Sequence, residues 1–416
     1  MANTMTNTNT NIKPPKGTLD LYSDDYIKIN KYKNQLEKMF IQEGGIGLET
    51  PVFEVRENLM GKYGDEAETK LVFNLEDIGS DLSEKYTLRY DLTIPKMRFV
   101  QSKSIDKARI YSIGKVYRRD NPSVGRFREF YQADFDIIGE NSSTLINELV
   151  LLKMADKFIC TNNLGSYKIL INDTENLKYL LVEKLQINPN LFKSICSSID
   201  KLDKYSFEEI EEELKTKGLD IEQIELLKEE LIKLNPTNSS TGVLINKLIQ
   251  MSKPYGFDKS IQFAPYMARG LDYYNGIIFE IVLDNFKSTV ISGGRYDGLI
   301  GETSLIGISF GLSRMIDLLE DKKIKNDWKP LYMLTCISNS ISLETKLQIA
   351  SKLEKKINQS IILSSEPVEK KLVKTITYCI QNYIKYLYVI APNELVQNKI
   401  ILKDLENSTQ ELIDLE

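Results

Sequence analysis

A stretch in the first third of the chain constrains the fold more than any other, because it predicts two strands that must pair with each other. Segments 110–117 and 127–138 each alternate apolar residues with polar or small ones, as strands do. Asn121, Pro122 and Gly125 lie between the segments, and these residue types favour turns. The pattern therefore predicts an antiparallel hairpin.

Arginine is concentrated at the predicted loop of this hairpin. Arg118 and Arg119 end the first strand, and Arg126 and Arg128 begin the second. Only 11 of the 54 basic residues are arginine, and none follows Arg314. A guanidinium group can contact phosphate or carboxylate oxygens through two parallel hydrogen bonds, which lysine cannot do. The loop is therefore a candidate anion-binding site, although a charged hairpin tip in water fits the same residues.

The sequence contains no histidine. This excludes catalysis by an imidazole base and any metal site with a histidine ligand. Cys160, Cys196, Cys336 and Cys379 have no paired spacing, which predicts reduced thiols of a cytoplasmic protein and no metal held by cysteine. The remaining carboxylates, arginines, lysines and tyrosines suit reactions that depend on positioning and on electrostatic stabilisation.

The length of 416 residues predicts two or three domains. Residues 1–15 start with an Asn- and Thr-rich segment and are expected to form a disordered arm without a targeting signal. We expect a catalytic domain at 16–328. Strands and helices alternate after residue 329, which predicts a small α/β domain with a mostly parallel sheet at 329–416. Glu- and Lys-rich helices predict an insertion at about 174–258, either a clamp on a large partner or a bundle without a ligand.

Weaker patterns predict further elements of the catalytic domain. Apolar residues at helical spacing predict a helix over 22–43, and segments 46–53, 71–76 and 86–92 are expected to be strands. Pro51 interrupts the first of these segments, which favours an edge or interface strand. No apolar run approaches the roughly 18 residues of a membrane span. The net charge of −5 argues against a non-specific nucleic-acid coat but permits a local basic face.

Five blocks resemble those of class II aminoacyl-tRNA synthetases, and two of the five are similar to blocks of the histidyl family. GLETPVFE at 47–54 resembles motif 1, YRRDNPSVGRFREFYQADFDI at 117–137 resembles motif 2, and GISFGLSRM at 307–315 resembles motif 3. LRYDLTIP at 88–95 and ARGLDYYNG at 268–276 resemble the signature blocks of histidyl-tRNA synthetases. The class follows from the first three blocks, and the amino acid follows from the last two.

The resemblance extends from about Lys16 to the C-terminus, and segment 195–210 resembles the insertion of eukaryotic-type members. It implies an α/β protein in which an α+β catalytic domain is built on an antiparallel sheet and precedes an anticodon-binding α/β domain. The implied reaction converts L-histidine and ATP to histidyl-adenylate and pyrophosphate, then transfers the histidyl group to the 3′ end of histidine tRNA. ATP is then a substrate, Mg²⁺ is expected with it, and a homodimer without DNA or membrane partners is expected.

The resemblance also implies a role for each matching residue. Arg118, Arg269 and Arg314 are the implied catalytic residues. The implied ATP-binding residues are Arg118, Arg126 and Arg314, and the residues implied for the substrate carboxylate and α-phosphate are Arg118 and Arg269. The implied pocket for the amino group contains Asp91, Thr93 and Gln132, with Leu92 beside them. The implied pocket for the imidazole contains Asp136, Tyr273 and Tyr274. The chain departs from the family pattern at Ser313, where motif 3 usually carries an acidic residue.

Two other hypotheses fit part of the sequence. One is a catalytically inactive synthetase-like paralogue that binds histidine and regulates another enzyme, but such relatives typically lose motif residues that this chain keeps. The other is a tRNA-binding or scaffold protein without catalysis, which would not need the block at 268–276. Pyrophosphate exchange with each amino acid separates the three hypotheses.

Overall fold

The computed structural model of this chain describes residues 12–22, 24–59, 71–75, 85–123, 125–140, 143–203, 205–233, 240–268, 274–316, 331–364 and 372–415. Contacts divide the chain into two compact units, Met1–Lys322 and Lys323–Glu416. Within the described ranges, no helix has both the length and the hydropathy to span a bilayer.

The first unit contains ten strands and ten α-helices among its described residues, with short 3₁₀ and π turns between some of them. The strands are β1 Ile46–Gly47, β2 Phe53–Val55, β3 Tyr86–Leu88, β4 Ala108–Tyr117, β5 Glu129–Ile138, β6 Tyr167–Asp173, β7 Ile261–Phe263, β8 Ile277–Leu283, β9 Phe286–Arg295 and β10 Leu305–Gly311. The helices are α1 Asp24–Gln42, α2 Arg56–Leu59, α3 Thr93–Ser102, α4 Ile146–Asn162, α5 Thr174–Lys178, α6 Phe192–Ile199, α7 Phe207–Thr216, α8 Ile221–Lys233, α9 Ser240–Ser252 and α10 Leu312–Ile316.

Eight strands of this unit form one sheet in the order β1-β4-β5-β10-β9-β8-β6-β7. The pairs β1/β4 and β6/β7 are parallel, and the other five pairs are antiparallel. The hairpin predicted from the sequence is confirmed as β4 and β5, with Gly114 opposite Gln132 and Ile110 opposite Asp136. The α/β fold class with an antiparallel catalytic sheet is therefore confirmed.

One face of the sheet is closed by helices. On β5, alternate residues Ala133, Phe135 and Ile137 belong to the main hydrophobic core. Phe40 of α1 packs there, with its ring centroid 5.3 Å from that of Phe135 and 5.9 Å from that of Phe310. Burial of such a side chain stabilises the fold by about 1.5–3 kcal/mol. Because strand residues alternate between faces, the polar residues of β5 point to the opposite face.

The three weaker strand predictions are only partly correct. Segment 46–53 divides into β1, a two-residue strand at the edge of the large sheet, and β2, which pairs with β3 in a separate sheet. The described part of 71–76 makes one bridge, from Asn74 to Thr87. The strand expected over 86–92 ends at Leu88, where the next side chain, Arg89, is buried and donates to the carbonyls of Lys115 and Thr50.

Helices α5 to α9 lie between β6 and β7, in the segment where an insertion is expected. Helices α5 to α8 share a core of their own that includes Leu181, Ile199 and Leu227. Helix α7 begins with a capping box in which Ser206 and Glu209 bond reciprocally. Helix α9 packs on the main core through Ile245 and Leu248, whereas α5 to α8 pack on one another.

The second unit contains five strands and three helices among its described residues. They are β11 Tyr332–Cys336, α11 Leu343–Ile357, β12 Ile362–Leu363, α12 Leu372–Gln381, β13 Tyr386–Ile390, α13 Pro392–Val396, β14 Lys399–Asp404 and β15 Thr409–Asp414. The sheet order is β12-β11-β13-β14-β15. The first three strands are parallel as expected, whereas the C-terminal hairpin β14–β15 is antiparallel and was not predicted.

Candidate active site

The candidate site lies on the face of the large sheet opposite the main core. Gln132, Asp134 and Asp136 occupy alternate positions of β5, so they share this face. Their partners across the ladder on β10 are Gly311, Ser309 and Gly307. Glycine and serine have small side chains, so they leave open space beside the three polar side chains of β5. This part of the sheet is the floor of the site.

Two glycines of this floor are required by the side chains beside them. A Cβ atom added to Gly307 would collide with Oδ1 of Asp136. A Cβ atom on Gly294 of β9, which is paired with Gly307, would lie 2.9 Å from Cδ1 of the Tyr274 ring. The chain thus uses glycine where Asp136 and Tyr274 approach the sheet most closely.

Asp136 is fixed by two partners. Lys96 of α3 forms an ion pair with Oδ2 of Asp136, and the Tyr296 hydroxyl donates to Oδ1. Lys96 is 0% exposed and Asp136 is 2% exposed, so this arrangement is shielded from solvent. Charges removed from water are tolerated only when they are paired and hydrogen-bonded, which is the case here. Asp136 is therefore a rigid, hydrogen-bonded carboxylate at the inner end of the polar row.

Asp134 and Gln132 carry acceptors that the described protein groups leave unused. The Gln132 side-chain amide donates to Ser309 Oγ over 2.9 Å, while its Oε1 has no hydrogen-bond partner among the described residues. Oδ1 of Asp134 is likewise buried without one. Burial raises the pKa of Asp134 to about 7; nearby Lys96 opposes this shift, whereas the charges of Asp136 and Asp91 add to it.

Residues 91–93 lie where the chain enters α3. Asp91 is buried, and its Oδ1 accepts from the backbone N–H of Ile94 over 3.1 Å, inside the first turn of the helix. Leu92 and Thr93 are also buried. A Cβ atom on Gly114, which is opposite Gln132 in the ladder, would lie 3.6 Å from Cδ2 of Leu92. The structure therefore places the start of this helix beside Gln132.

Arg118 is held between aromatic rings at the loop end of the hairpin. Its guanidinium carbon lies 4.3 Å from the ring centroid of Tyr90 and 5.2 Å from that of Phe130. Its Nε donates to the carbonyl of Tyr90 over 3.3 Å. Stacking on two rings orients a guanidinium group without neutralising its charge. Because Tyr90 directly precedes Asp91, Arg118 borders the polar row.

Arg126 and Arg314 attach the hairpin loop differently. Arg126 is exposed and pairs with Asp120 over 2.8 Å within the loop. Arg314, on α10, donates through Nε to the carbonyl of Gly125 over 3.0 Å and through Nη1 to that of Thr289 over 2.6 Å. The anion-binding arginines predicted on the hairpin and on α10 therefore meet at one loop.

The described contacts explain the departure at Ser313. Its hydroxyl accepts from the backbone N–H of Tyr131 over 2.9 Å, and the residue is buried. Tyr131 precedes Gln132, so this bond attaches the start of α10 to the site strand. Ser313 thus has a structural role at the position where motif 3 usually carries an acid.

The sequence interpretation missed two groups that contact Asp136. Arg269 and Tyr273 lie outside the described residues. Tyr274 is described, but the hydroxyl bonded to Asp136 belongs to Tyr296, whose ring centroid lies 6.3 Å from that of Tyr274. Lys96 was not predicted either. Two signals in the sequence were available. Lys96 directly follows the LRYDLTIP block, and Tyr296 directly follows Arg295 at the end of a glycine-rich strand.

The acidic side chains of the described ranges do not cluster as metal ligands would. No group of three or more cysteine or carboxylate side chains in the described ranges is arranged to hold one. Glu280 of β8 is a further buried carboxylate on the site face, opposite Ser292 in the ladder, and it accepts from the Thr289 hydroxyl over 2.8 Å.

Comparisons with known proteins agree with these motifs. The family model described as Histidyl-tRNA synthetase matches residues 17–319. A histidine–tRNA ligase named as cytoplasmic from Arabidopsis thaliana is 33% identical over 428 residues, which cover 97% of this chain and 48% of the relative. A probable cytoplasmic histidine–tRNA ligase from Vairimorpha ceranae is 33% identical over 433 residues and 97% of both chains. A solved histidyl-tRNA synthetase from Nostoc has a TM-score of 0.74 at 22% identity, covering 97% of this chain and 96% of the other.

Proposed function

Because this chain belongs to the histidyl-tRNA synthetase family, we propose that it is a histidine–tRNA ligase, which activates L-histidine with ATP and transfers it to histidine tRNA. The chain spans about half the length of the relatives it matches from Arabidopsis and rice, and nearly all of the relative from Vairimorpha. The activity is proposed for the chain as it stands, with its two units.

The observation that carries the proposal is the polar row on the bare floor of the sheet. Gln132, Asp134 and Asp136 rise from β5 beside glycine and serine, and the arginine-bearing loop lies at the end of the same hairpin. A free amino acid has an ammonium group and a carboxylate. The acidic row suits the ammonium group, and Arg118 at the loop end suits the carboxylate. The site can therefore orient an amino acid along β5.

The proposed chemistry of the first step needs positioning and charge stabilisation. The carboxylate of histidine attacks the α-phosphorus of ATP, the bond to the pyrophosphate oxygen breaks, and pyrophosphate leaves. Negative charge accumulates on the phosphoryl oxygens during this step. Arg118, oriented by Tyr90 and Phe130, would hold the carboxylate against the α-phosphate, with Arg269 as its proposed bridging partner. No proton has to be removed, so a chain without histidine can perform the step.

The remaining ATP contacts are proposed from the loop geometry. Arg314 joins α10 to the loop through Gly125 and to β9 through Thr289, which makes it suitable for the adenine and γ-phosphate end. Arg126, exposed at the loop, would contact the outer phosphates. Mg²⁺ would bind together with ATP through the phosphate oxygens, because Mg²⁺ prefers oxygen ligands. Glu280 supplies one buried carboxylate on this face.

Histidine would be read at the inner end of the row. Its imidazole has one N–H donor and one acceptor nitrogen, so a specific pocket needs an acceptor and a donor. Asp136, held by Lys96 and Tyr296, is the proposed acceptor for the N–H. Tyr274, packed against Tyr296 and Gly294, and Tyr273 are proposed for the remainder of the ring.

Further proposals concern assembly, partners and location. We propose that residues 329–416 bind the anticodon arm and that the active species is a homodimer without DNA or membrane partners. We also propose a cytoplasmic location, as in the names of the Arabidopsis and Vairimorpha relatives, although a bovine relative at 30% identity is named as mitochondrial. A fluorescent fusion observed in the source cells tests the location.

The test of the activity is pyrophosphate exchange with each of the 20 amino acids, followed by charging of histidine tRNA. Exchange with L-histidine alone and formation of histidyl-tRNA are the expected results. Histidine binding without exchange would replace the proposal with the inactive regulatory paralogue. Binding of tRNA without any histidine binding would leave the scaffold hypothesis.

A further inference from the structure

Two unused acceptors stand side by side in the buried row. Asp134 is 3% exposed, and its Oδ1 has no hydrogen-bond partner within the described chain. Oε1 of Gln132, two residues earlier on the same face, has none either. Both residues are attached to Ser309, by a bond from the Gln132 amide and by the Ser309 hydrogen bond to the Asp134 carboxylate. A buried acceptor without a donor is unfavourable, so two together indicate a missing donor.

The charged groups around Asp134 come from three elements. Asp136 lies on β5 itself, Lys96 and Asp91 lie on and before α3, and the buried guanidinium of Arg89 lies over Gly114 of β4 on the same face of the sheet. Lys96 is bonded to Asp136, and Arg89 donates to the carbonyls of Lys115 and Thr50. Each of the two cations thus has another hydrogen-bonded partner, and Oδ1 of Asp134 remains available for a further cationic donor.

We propose that Asp134 is a binding residue for the α-ammonium group of the substrate, accepting one of its N–H groups at Oδ1 beside Gln132 Oε1. The proposal rests on the proposed function and adds a residue that the family resemblance did not assign. An ammonium group has three donors. Oδ1 of Asp134 and Oε1 of Gln132 accept two of them, and Asp91 at the helix start is the adjacent carboxylate for the third.

The proposal has a consequence in proton balance. Burial raises the pKa of Asp134 to about 7 when the ammonium group is absent, so a share of the carboxyl groups carries a proton near neutral pH. A cation placed against the carboxylate favours the ionised form and lowers that pKa. The ammonium group therefore takes the place of the proton. Binding should release protons near pH 7, and affinity should fall as the pH drops through this range.

The test is calorimetric titration of the full chain with L-histidine at pH 7 in two buffers of different ionisation enthalpy, which counts released protons. The matched ligand is 3-(imidazol-4-yl)propionate, which keeps the ring and the carboxylate but lacks the amine. After the proton released by each ligand's own imidazole ring is subtracted, we expect L-histidine to release more protons than the deaminated ligand. Equal corrected release by both ligands would overturn the proposal, and this comparison needs no variant.

Variants then assign the proton to its residue. Asp134→Asn should abolish the extra release and weaken L-histidine binding at least tenfold, while binding of the deaminated ligand changes little. Asp284→Asn, on an exposed turn of the same unit, should leave both quantities unchanged. Undiminished proton release by Asp134→Asn would overturn the assignment. Failure of the unaltered chain to bind either ligand would instead refute the proposed function.

Discussion

Lys96 and Asp136 form an ion pair in which neither side chain is reached by solvent, although 40 residues separate them in the chain. The pair connects α3, which begins inside the LRYDLTIP block, to β5, the strand that carries the polar row. Two buried charges depend on each other, since removal of one leaves the other unpaired in a medium of low polarity.

We predict that Lys96→Met lowers the stability of the first unit by about 3–5 kcal/mol, because Asp136 loses its counter-charge. The double variant Lys96→Met/Asp136→Asn should recover part of this loss, since no charge is then left unpaired. Thermal unfolding of both variants measures the effect, with Lys253→Met on an exposed turn as the control. Equal unfolding midpoints for Lys96→Met and Lys253→Met would contradict it.

We expect Asp136→Ala to raise the KM for histidine strongly in pyrophosphate exchange, because the proposed acceptor for the ring is removed. Circular dichroism should confirm an intact fold. A near-normal KM would mean that the imidazole is recognised elsewhere.

The two tyrosines of the pocket should differ. Tyr296→Phe removes the donor to Asp136 and should cost about 1.5–3 kcal/mol, or roughly tenfold to a hundredfold in kcat/KM for histidine. Tyr274→Phe should weaken histidine use less. The measurement is kcat/KM for histidine in both variants. A larger loss of kcat/KM in Tyr274→Phe would assign the hydroxyl that acts in the pocket to Tyr274 instead.

Arg269→Lys should impair adenylate formation far more than histidine binding, by about 2–4 kcal/mol in the barrier, because lysine keeps the charge but loses the bidentate fork. Exchange rates and histidine titration measure the two effects separately. Arg109→Lys is the matched control, since Arg109 pairs with Glu140 over 2.8 Å and is not among the proposed site residues. An exchange rate within a few-fold of the unaltered chain would contradict the bridging role.

The dimer is expected to use the exposed apolar residues of α1 and β1. Tyr26 and Ile46 are 57% and 66% exposed in the single chain, which favours a partner surface there. Ile46→Asp should produce monomers without activity, whereas Ile232→Asp, at a 76% exposed position of α8, should stay dimeric. Analytical ultracentrifugation checks both, and an active monomeric unaltered chain would exclude the dimer.

Much of the fold could be predicted because it depends on local patterns. The β4–β5 hairpin follows from alternating residues around Asn121 and Pro122, and α7 follows from the capping box at Ser206. The strand expected over 86–92 failed because Arg89 is buried by distant groups, including the carbonyl of Thr50. A local pattern cannot express that contact.

The site also contains some residues that a local pattern predicts and others that it does not. The shared face of Gln132, Asp134 and Asp136 could be predicted from the two-residue period of a strand. Lys96 and Tyr296 could not, because their contact with Asp136 depends on the start of α3 and on the register of β9 and β10. The family blocks pointed to Tyr274, which packs on Tyr296, the tyrosine whose hydroxyl donates to Asp136.

The position of β10 in the large sheet has a consequence for how the protein is made. This strand lies between β5 and β9, yet in the chain it is the last strand of the sheet. A ribosome therefore releases two partial sheets, β1-β4-β5 and β9-β8-β6-β7, before the strand that joins them. Until residue 311 has emerged, β5 and β9 both expose an unpaired edge, which is the form of a nascent chain most prone to aggregate. We expect the emerging first unit to need a chaperone, and the need to end when β10 inserts.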